Sequence, residues 1–321
     1  MSAQQADGAA TEVFHRHRNL LFSVAYRLLG SAADAEDAVQ DAWLKWSAAD
    51  RSDVVEPRAY LTRIVSNLAL ERLRSARYRR ETYVGPWLPE PILTSGEPVG
   101  TAAGAAAETA DVADTVTAAE SVSMAMLVVL ETLSPLERAV FVLREVFAFG
   151  HAEIAEAVGR SEPAVRQAAH RAREHVRARR PRFAADRARQ RAVTERFVAA
   201  ASGGDVNALM EALSPDVTLW TDGGGKVSQF MDPLVGAEEL ASWFVSLGTF
   251  AYEGVEPEEM AVELVEINGA LGMLFTGRGR VFSTITFDFD PEGRIAGVYG
   301  VVNPEKLRAV AGGVARDVST A

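Results

Sequence analysis

Glu162, Arg166, Gln167 and His170 are spaced so that a helix would carry them on one side. Their types match the edges of base pairs. Arginine donates two bonds to guanine, glutamine pairs with adenine, and glutamate accepts from the amino group of cytosine. Arg171, Arg173 and Arg177 follow in the same stretch and suit phosphate oxygens, which fix register without reading sequence. Chemistry of other kinds is scarce. The 321 residues include no cysteine, so disulfides, thiolate nucleophiles and cysteine-bound zinc are excluded. No histidine follows His175, so the remainder of the chain lacks the commonest general base. The Gly-rich turn Asp222-Gly223-Gly224-Gly225-Lys226 is followed by Val227, which departs from the G-x-x-x-x-G-K-[ST] spacing of a phosphate-binding loop. No metal or cofactor is expected.

The net charge of −11 becomes compatible with nucleic acid once it is divided along the chain. Residues 1–204 hold 26 basic and 26 acidic side chains, whereas residues 205–321 hold 7 and 18. Within the neutral part, residues 57–82 carry seven arginines against Glu71 and Glu81. Residues 160–191 carry eleven against Glu162, Glu174 and Asp186. Two separated basic segments are the footprint of two contacts with a phosphate backbone. Arginine outnumbers lysine 30 to 3, a bias read as genomic base composition. No run approaches the roughly 20 apolar residues of a membrane helix, and the N-terminus lacks an apolar signal core. A cytoplasmic protein with no membrane partner is expected.

These residues need elements to hold them. Val13, Leu20, Leu21, Val24 and Leu28 recur at helical spacing over 12–30, with Gly30 as a C-cap. Ser31 suits the N-cap of a second helix reaching Ser47. One face of that helix is Ala35, Val39, Ala42, Trp43 and Trp46. The other presents Asp34, Asp37, Asp41 and Lys45, with Gln40 on its flank. Pro57 opens a third helix over 57–80, with a stripe of Leu61, Ile64, Val65, Leu68 and Leu73. From 81 to 120 the periodicity dissolves into a linker rich in Pro, Gly, Ala and Thr. Within it GPWLPEP places an apolar Trp-Leu pair where a mere tether has no use for one, so docking is expected. Helices return over 120–181. The short helix HAEIAEAV, Gly159, a three-residue turn and a long basic helix starting after Ser161 make a helix-turn-helix pattern. After two helices near 190–202 and 205–213, the period changes to two over 217–302. The strands VTLWTD, ALGMLFT, VFSTITFDFD and RIAGVYGVV predict a curved antiparallel sheet, with turns at Asn268-Gly269 and 291–293 and a helix over 237–247.

DAEDAVQDAWLKW followed by PRAYLTRIVSNLALERLRSARYRRE resembles the second domain of extracytoplasmic-function sigma factors. LSPLERAVFVLREVF with HAEIAEAVGRSEPAVRQAAHRARE resembles their fourth. WLPEP at 87–91, DGGGK at 222–226 and NPEKL at 303–307 resemble the subgroup that carries a C-terminal SnoaL-like domain. The resemblance implies two all-α sigma domains, the second a helix-turn-helix, followed by an α+β cone-shaped domain. Its boundaries fall at 8–82, 83–119 for the linker, 120–182 and 190–312. It implies that Asp34, Asp37, Gln40 and Asp41 bind the largest-subunit clamp of core RNA polymerase, whose flap is a further contact. Asn67, Arg72, Arg74, Arg77, Arg79 and Arg80 would hold the −10 element of promoter DNA, with Tyr60 and Tyr78 available for stacking. Glu162, Arg166, Gln167, His170, Arg171, Arg173 and Arg177 would read the −35 element.

The SnoaL-like domain would act in cis in place of a separate anti-sigma protein. In this reading Trp87, Pro89, Glu90 and Pro91 meet Asp222, Gly223, Gly224, Gly225, Lys226, Asn303, Pro304 and Lys306. The turn bracketed by Asp222 and Lys226 would take the linker around Trp87 and Glu90. The cone would be lined by Trp220, Phe230, Met231, Trp243, Phe244, Phe275 and Phe287 around an unknown small ligand, with Asp232 and Asp288 as the available bases. From the residues alone, other readings stand beside these. The acidic face is also an ordinary solvated surface, and Asn67 an ordinary surface amide. The helix pair is also a hairpin inside a bundle, and the Gly turn also a turn with no partner. A free-standing helix-turn-helix regulator with a ligand-sensing domain, and a SnoaL-type enzyme fused to a DNA-binding module, are the alternatives to a non-enzymatic sigma factor.

Overall fold

The computed structural model describes residues 3–50, 54–94, 123–179 and 187–311, and of residues 3–7, 9 and 76–81 the backbone alone. These residues fall into two compact units. One holds residues 3–81 and 129–179, the other residues 82–94, 123–128 and 187–311.

The first unit is all helix. α1 (Ala3–Leu29) ends where Gly30 takes φ 68°, a conformation that glycine reaches without a Cβ clash. α2 (Ala32–Ala48) starts at once because the Ser31 hydroxyl accepts from the Asp34 amide at 3.1 Å. α3 (Pro57–Glu81) packs on both. Leu21, Val24, Leu28, Ala35, Leu61 and Val65 are fully buried among them, and the Trp46 indole donates to the Ala10 carbonyl at 2.9 Å. α4 (Met124–Glu131), whose residues 124–128 belong to the second unit, leads to α5 (Pro135–Phe141), which opens with a reciprocal Ser134–Glu137 capping box. The pattern PLERAVFVLREVF reads as a single α-helix. The structure instead widens its second half into a π-turn, Val142–Val146, before Ala148 at φ 57° reverses the chain. α6 (His151–Val158), Gly159 at φ 63° and α7 (Glu162–Arg179) form the helix-turn-helix. Arg138 of α5 is 2% exposed and donates to the Leu28 carbonyl at 2.8 Å and to Glu131 at 2.6 Å. Burial pushes its pKa down to about 9.

The second unit is a six-stranded sheet covered on both faces. α8 (Arg187–Gly203) and α9 (Val206–Ala212) precede β1 (Leu213–Asp222), and Asp205 caps α9 by accepting from the Ala208 amide at 3.1 Å. β2 (Leu234–Val235), α10 (Ala237–Ser246), β3 (Met260–Ile267), β4 (Ala270–Gly277), β5 (Arg280–Phe289) and β6 (Ile295–Val301) follow. The strand order is β2-β1-β6-β5-β4-β3. The sheet is mixed, which corrects the antiparallel expectation: β1 and β6 run parallel with Leu219 opposite Val298, and every other pair is antiparallel. Periodicity reports which face a residue takes and is blind to strand direction.

The Asn268-Gly269 turn is present with φ of 53° and 72°, and Gly293 donates to Asp290 in the turn before β6. Arg278-Gly279 makes a matching left-handed turn that the residue types hid. The edge strand β3 also escaped the alternation test, because Ala261, Val262 and Glu263 are all exposed. On one face, Leu219 and Val298 pack under α8–α10. There the Phe197 ring meets Phe244 and Phe287 edge-on at 4.7 and 5.4 Å. On the other, Tyr299, Val301 and Leu307 pack with Leu88, Met124 and Ala125.

Candidate nucleic-acid interface and linker-docking site

The amphipathic pattern of α7 sorts its side chains as base readout would need. Val165, Ala168, Ala169, Ala172 and Val176 are buried against α5 and α6, which leaves Arg166, Gln167, His170, Arg171 and Arg177 exposed on the other side. Glu162 and Arg173 are half-buried. The arginines are already paired. Arg166 meets Glu162 at 2.5 Å, Arg171 meets Glu137 at 2.7 Å, and Arg173 and Arg177 meet Glu145 and Glu174 at 3.2 Å. Exposed pairs of this kind are worth little, so a phosphate can take the guanidinium at small cost. Burial raises the Glu137 carboxyl, but bonds from Arg171 and Ser134 outweigh it and hold the group below the usual carboxylate range.

Asn67 and Arg74 are exposed on α3. The side chains of Arg77, Arg79 and Arg80, like that of Tyr78, lie outside the described ones. On α2, Asp37 and Gln40 are exposed and Asp34 is half-buried. Asp41 binds Arg72 of α3 at 2.6 Å. One residue expected at a polymerase contact thus neutralises one expected at DNA. Tyr60 sits 5.8 Å from Trp46 and under the Arg63 guanidinium at 5.1 Å.

The linker docks within the second unit. Asp222, at the end of β1, is fully buried, and its carboxylate gathers three groups. Tyr83 donates its hydroxyl at 2.6 Å, Leu88 its backbone amide at 2.7 Å, and Lys306 its ammonium at 2.6 Å. The Asp222 carbonyl accepts from the amides of Val302 and Asn303 at 2.8 Å. Lys306 is 6% exposed, donates also to the Leu88 carbonyl at 2.5 Å, and lies 4.0 Å over the Trp87 ring. Asn303 donates to the Tyr83 hydroxyl at 2.8 Å. Burial, followed by the bond to Asp222, raises the Tyr83 phenol well above its usual range. Gly224 and Gly225 turn at φ 60° and 70° beneath this cluster. A Cβ on Gly224 would lie 2.4 Å from Asn303 Nδ2 and 2.8 Å from Tyr83 Oη, and one on Gly225 would lie 3.0 Å from Val84. The glycines are there because the linker and the Asn303 loop pass so close. Pro89 and Pro91 are buried, Glu90 is half-buried and Pro304 is exposed.

Of the residues expected to meet the linker, Asp222, Asn303 and Lys306 bind Tyr83 and Leu88, and Lys226 does not. Lys226 turns to the exposed Glu305, and Lys306 of the NPEKL segment supplies the buried charge. Gly223 donates its amide to Gln229. Tyr83 is an addition to the residues that the sequence points to. The Trp-Leu pair was the signal for Leu88, and Tyr83 had none. A second contact was also missed. Asn268 is 2% exposed, its amide donates to the Ile92 carbonyl at 3.0 Å, and Leu93 bridges Ile267 as an added strand residue.

The expected cavity lining divides. Phe230, Trp243, Phe244, Phe275 and Phe287 pack together under the helices, with Trp243 edge-on to Phe230 and Phe244 at 5.7 and 4.9 Å. Trp220 lies on the opposite face, stacked on Tyr299 at 5.2 Å, and Met231 is 55% exposed. Asp232 is exposed, and Asp288 is half-buried beside Tyr299. Among the described residues no cluster of three or more His, Asp or Glu could hold a metal ion, and no helix is long and apolar enough to cross a membrane.

Residues 13–79 match the family model for sigma-70 region 2, and residues 123–176 that for sigma-70 region 4. The ECF RNA polymerase sigma factor SigJ of Mycobacterium tuberculosis is 38% identical over 301 residues, 92% of each chain. The chain belongs to the extracytoplasmic function RNA polymerase sigma factors. The crystal structure of the M. tuberculosis sigma factor SigJ superimposes on this one with a TM-score of 0.69 at 34% identity, covering 93% of this chain and 98% of that one. The probable ECF sigma factor SigI of the same species is 34% identical over 71% of this chain and 74% of its own length. This sigma factor therefore pairs helical sigma domains with a C-terminal SnoaL-like α+β domain.

Proposed function

We propose that this sigma factor binds core RNA polymerase through the α2 face of Asp34, Asp37, Gln40 and Asp41. In this reading α3 engages the −10 element and α7 the −35 element, and the SnoaL-like domain adjusts output in cis by holding the linker. The working division is residues 8–82, 120–182 and 190–312, with 83–119 as tether. The single observation that carries the regulatory part is the seating of residues 83–93 on the sheet through the buried Asp222–Lys306 pair. Holding the linker limits where the two reading domains can go. The excess of acidic side chains in the last third adds a repulsion from DNA. The mutual packing of the aromatic side chains under α8–α10 supports a structural role for the SnoaL-like domain rather than an enzymatic one. No separate anti-sigma protein is needed in this scheme, and the protein works in the cytoplasm, where the polymerase is.

The test is run-off transcription with purified core polymerase on a promoter library. The protein is expected to confer initiation on a defined subset of promoters, and Asp222→Asn to change the rate at those promoters. Initiation by Asp222→Asn at the unaltered rate would remove the cis-regulatory role. Failure of the wild type to confer initiation at any sequence would remove the promoter assignment as well.

A further inference from the structure

Within the first unit the two sigma regions are folded against one another, and the seam between them takes no part in the DNA and polymerase contacts proposed above. Region 2 supplies α1–α3, and region 4 supplies α5–α7. Arginines hold the seam at four points. Arg138 of α5 is 2% exposed and donates to the Leu28 carbonyl, in the last turn of α1, at 2.8 Å. The buried Arg27 guanidinium of α1 lies over the Phe147 ring at 5.0 Å. Arg63 of α3 meets Glu156 of α6 at 2.5 Å, and Arg58 of α3 covers the Phe149 ring at 5.1 Å. Asn67 and Arg74 of α3 and Arg166, Gln167 and Arg171 of α7 are nevertheless exposed. Closure therefore leaves each reading face open singly.

Their joint use is another matter. By their names the −10 and −35 elements lie about 25 base pairs apart, which is about 85 Å of B-DNA. A compact unit of about 130 residues has a radius of gyration of about 14 Å, hence a diameter of about 36 Å. The closed unit is too small by about half to reach both. We propose that the seam is an autoinhibitory clasp, which keeps α3 and α7 too close for one promoter and must part before initiation. The proposal rests on the assignment of α3 and α7 to the two elements. The chemistry of the seam suits parting. Taking the Arg27 and Arg138 guanidinium groups out of water costs free energy that an apolar seam of the same area would not. Once apart, both regain their hydration, and neither region is left with a large bare apolar face at these points.

The chain has no cysteine, so introduced ones can be labelled cleanly in the full-length protein. Spin labels at Glu71→Cys on α3 and Glu174→Cys on α7, both exposed, report the opening by pulsed dipolar spectroscopy. The free protein is expected to give one distance below about 40 Å, and the complex with core polymerase and promoter one longer by at least about 20 Å. In the free protein Glu156→Arg, which sets like charges together at an exposed position, should enlarge the long-distance fraction about threefold or more. Adding Arg63→Glu should bring it back. Joining Arg63→Cys to Glu156→Cys with a cleavable bis-maleimide should lower run-off transcription about tenfold or more, and cleavage of the spacer should restore it. Failure of the uncross-linked double variant to initiate would strike the promoter reading, and the distances in the free protein decide closure independently. A free protein already at the promoter-bound distance, or a cross-linked one that initiates as fast as the uncross-linked, would overturn the proposal.

Discussion

At the scale of single residues, Asp222 and Lys306 show how much one buried pair can organise. Their side chains are 0% and 8% exposed, so removing the carboxylate strands an ammonium ion away from water. Asp222→Ala is expected to lower unfolding stability by about 3–5 kcal/mol, read from urea denaturation. Replacing both partners together, as Asp222→Leu with Lys306→Met, should cost far less stability yet still release the linker. Limited proteolysis would then cut near residues 83–93 in both variants. Gly224→Ala tests the close approach directly, since the new Cβ meets Asn303 and Tyr83 at a positive φ. A loss of at least about 1–2 kcal/mol is expected.

His17 gives a pH dependence. Burial, and then Arg16 and Arg58, lower its pKa below 6.5, with Glu56 opposing. The unfolded chain therefore takes up the proton first, and stability is lost as the pH falls from 6.5 toward the folded-state value. His17→Gln should flatten that part of the stability profile, followed by thermal unfolding between about pH 7 and 5.

At the scale of elements, α7 and α2 are helices whose outer faces were left charged while their inner faces pack. If Arg171, Arg173 and Arg177 meet phosphates, alanine at each should weaken binding to all promoter sequences alike. Each should also reduce the salt slope of log K by about one. Arg166→Ala and Gln167→Ala should instead relax sequence preference at single base pairs, with about 1–3 kcal/mol of discrimination lost. On α2, Asp37 has no ion-pair partner among the described residues, so Asp37→Arg should lower core-polymerase affinity while leaving the melting temperature within a degree or two of the wild type. Asp41→Arg would do more, because it also breaks the pair with Arg72. A larger melting shift for Asp41→Arg than for Asp37→Arg separates the two effects.

At the scale of the molecule, the chain passes its linker across the sheet of its own C-terminal domain at two places. Asp222 holds Tyr83 and Leu88, and the Asn268 turn holds Ile92 and Leu93. Loss of one contact leaves the other. Asp222→Asn and Asn268→Ala together are therefore expected to alter run-off transcription more than either alone. Additive effects in such a cycle would mean that the two contacts act independently. Deleting residues beyond 190 removes both at once and should change promoter output.

Local rules were enough for much of this protein. The capped helices α1–α3, the helix-turn-helix with Gly159 at its turn, and the sorting of α7 into buried alanines and exposed arginines follow from periodicity and capping chemistry. These act over a few residues and are written in the residue types. Even the linker announced its docking, because Trp87 and Leu88 are too apolar to leave in water. The three-dimensional fold decided the rest. It made β1 and β6 parallel and chose Lys306 over Lys226 as the partner of Asp222. It brought in Tyr83 and Asn268, paired Asp41 with Arg72, and turned Trp220 away from the helices. Each of these is a choice among groups far apart in the chain. Such choices rest on which buried charge and which close backbone approach can be satisfied together, and spacing along a sequence carries no record of that.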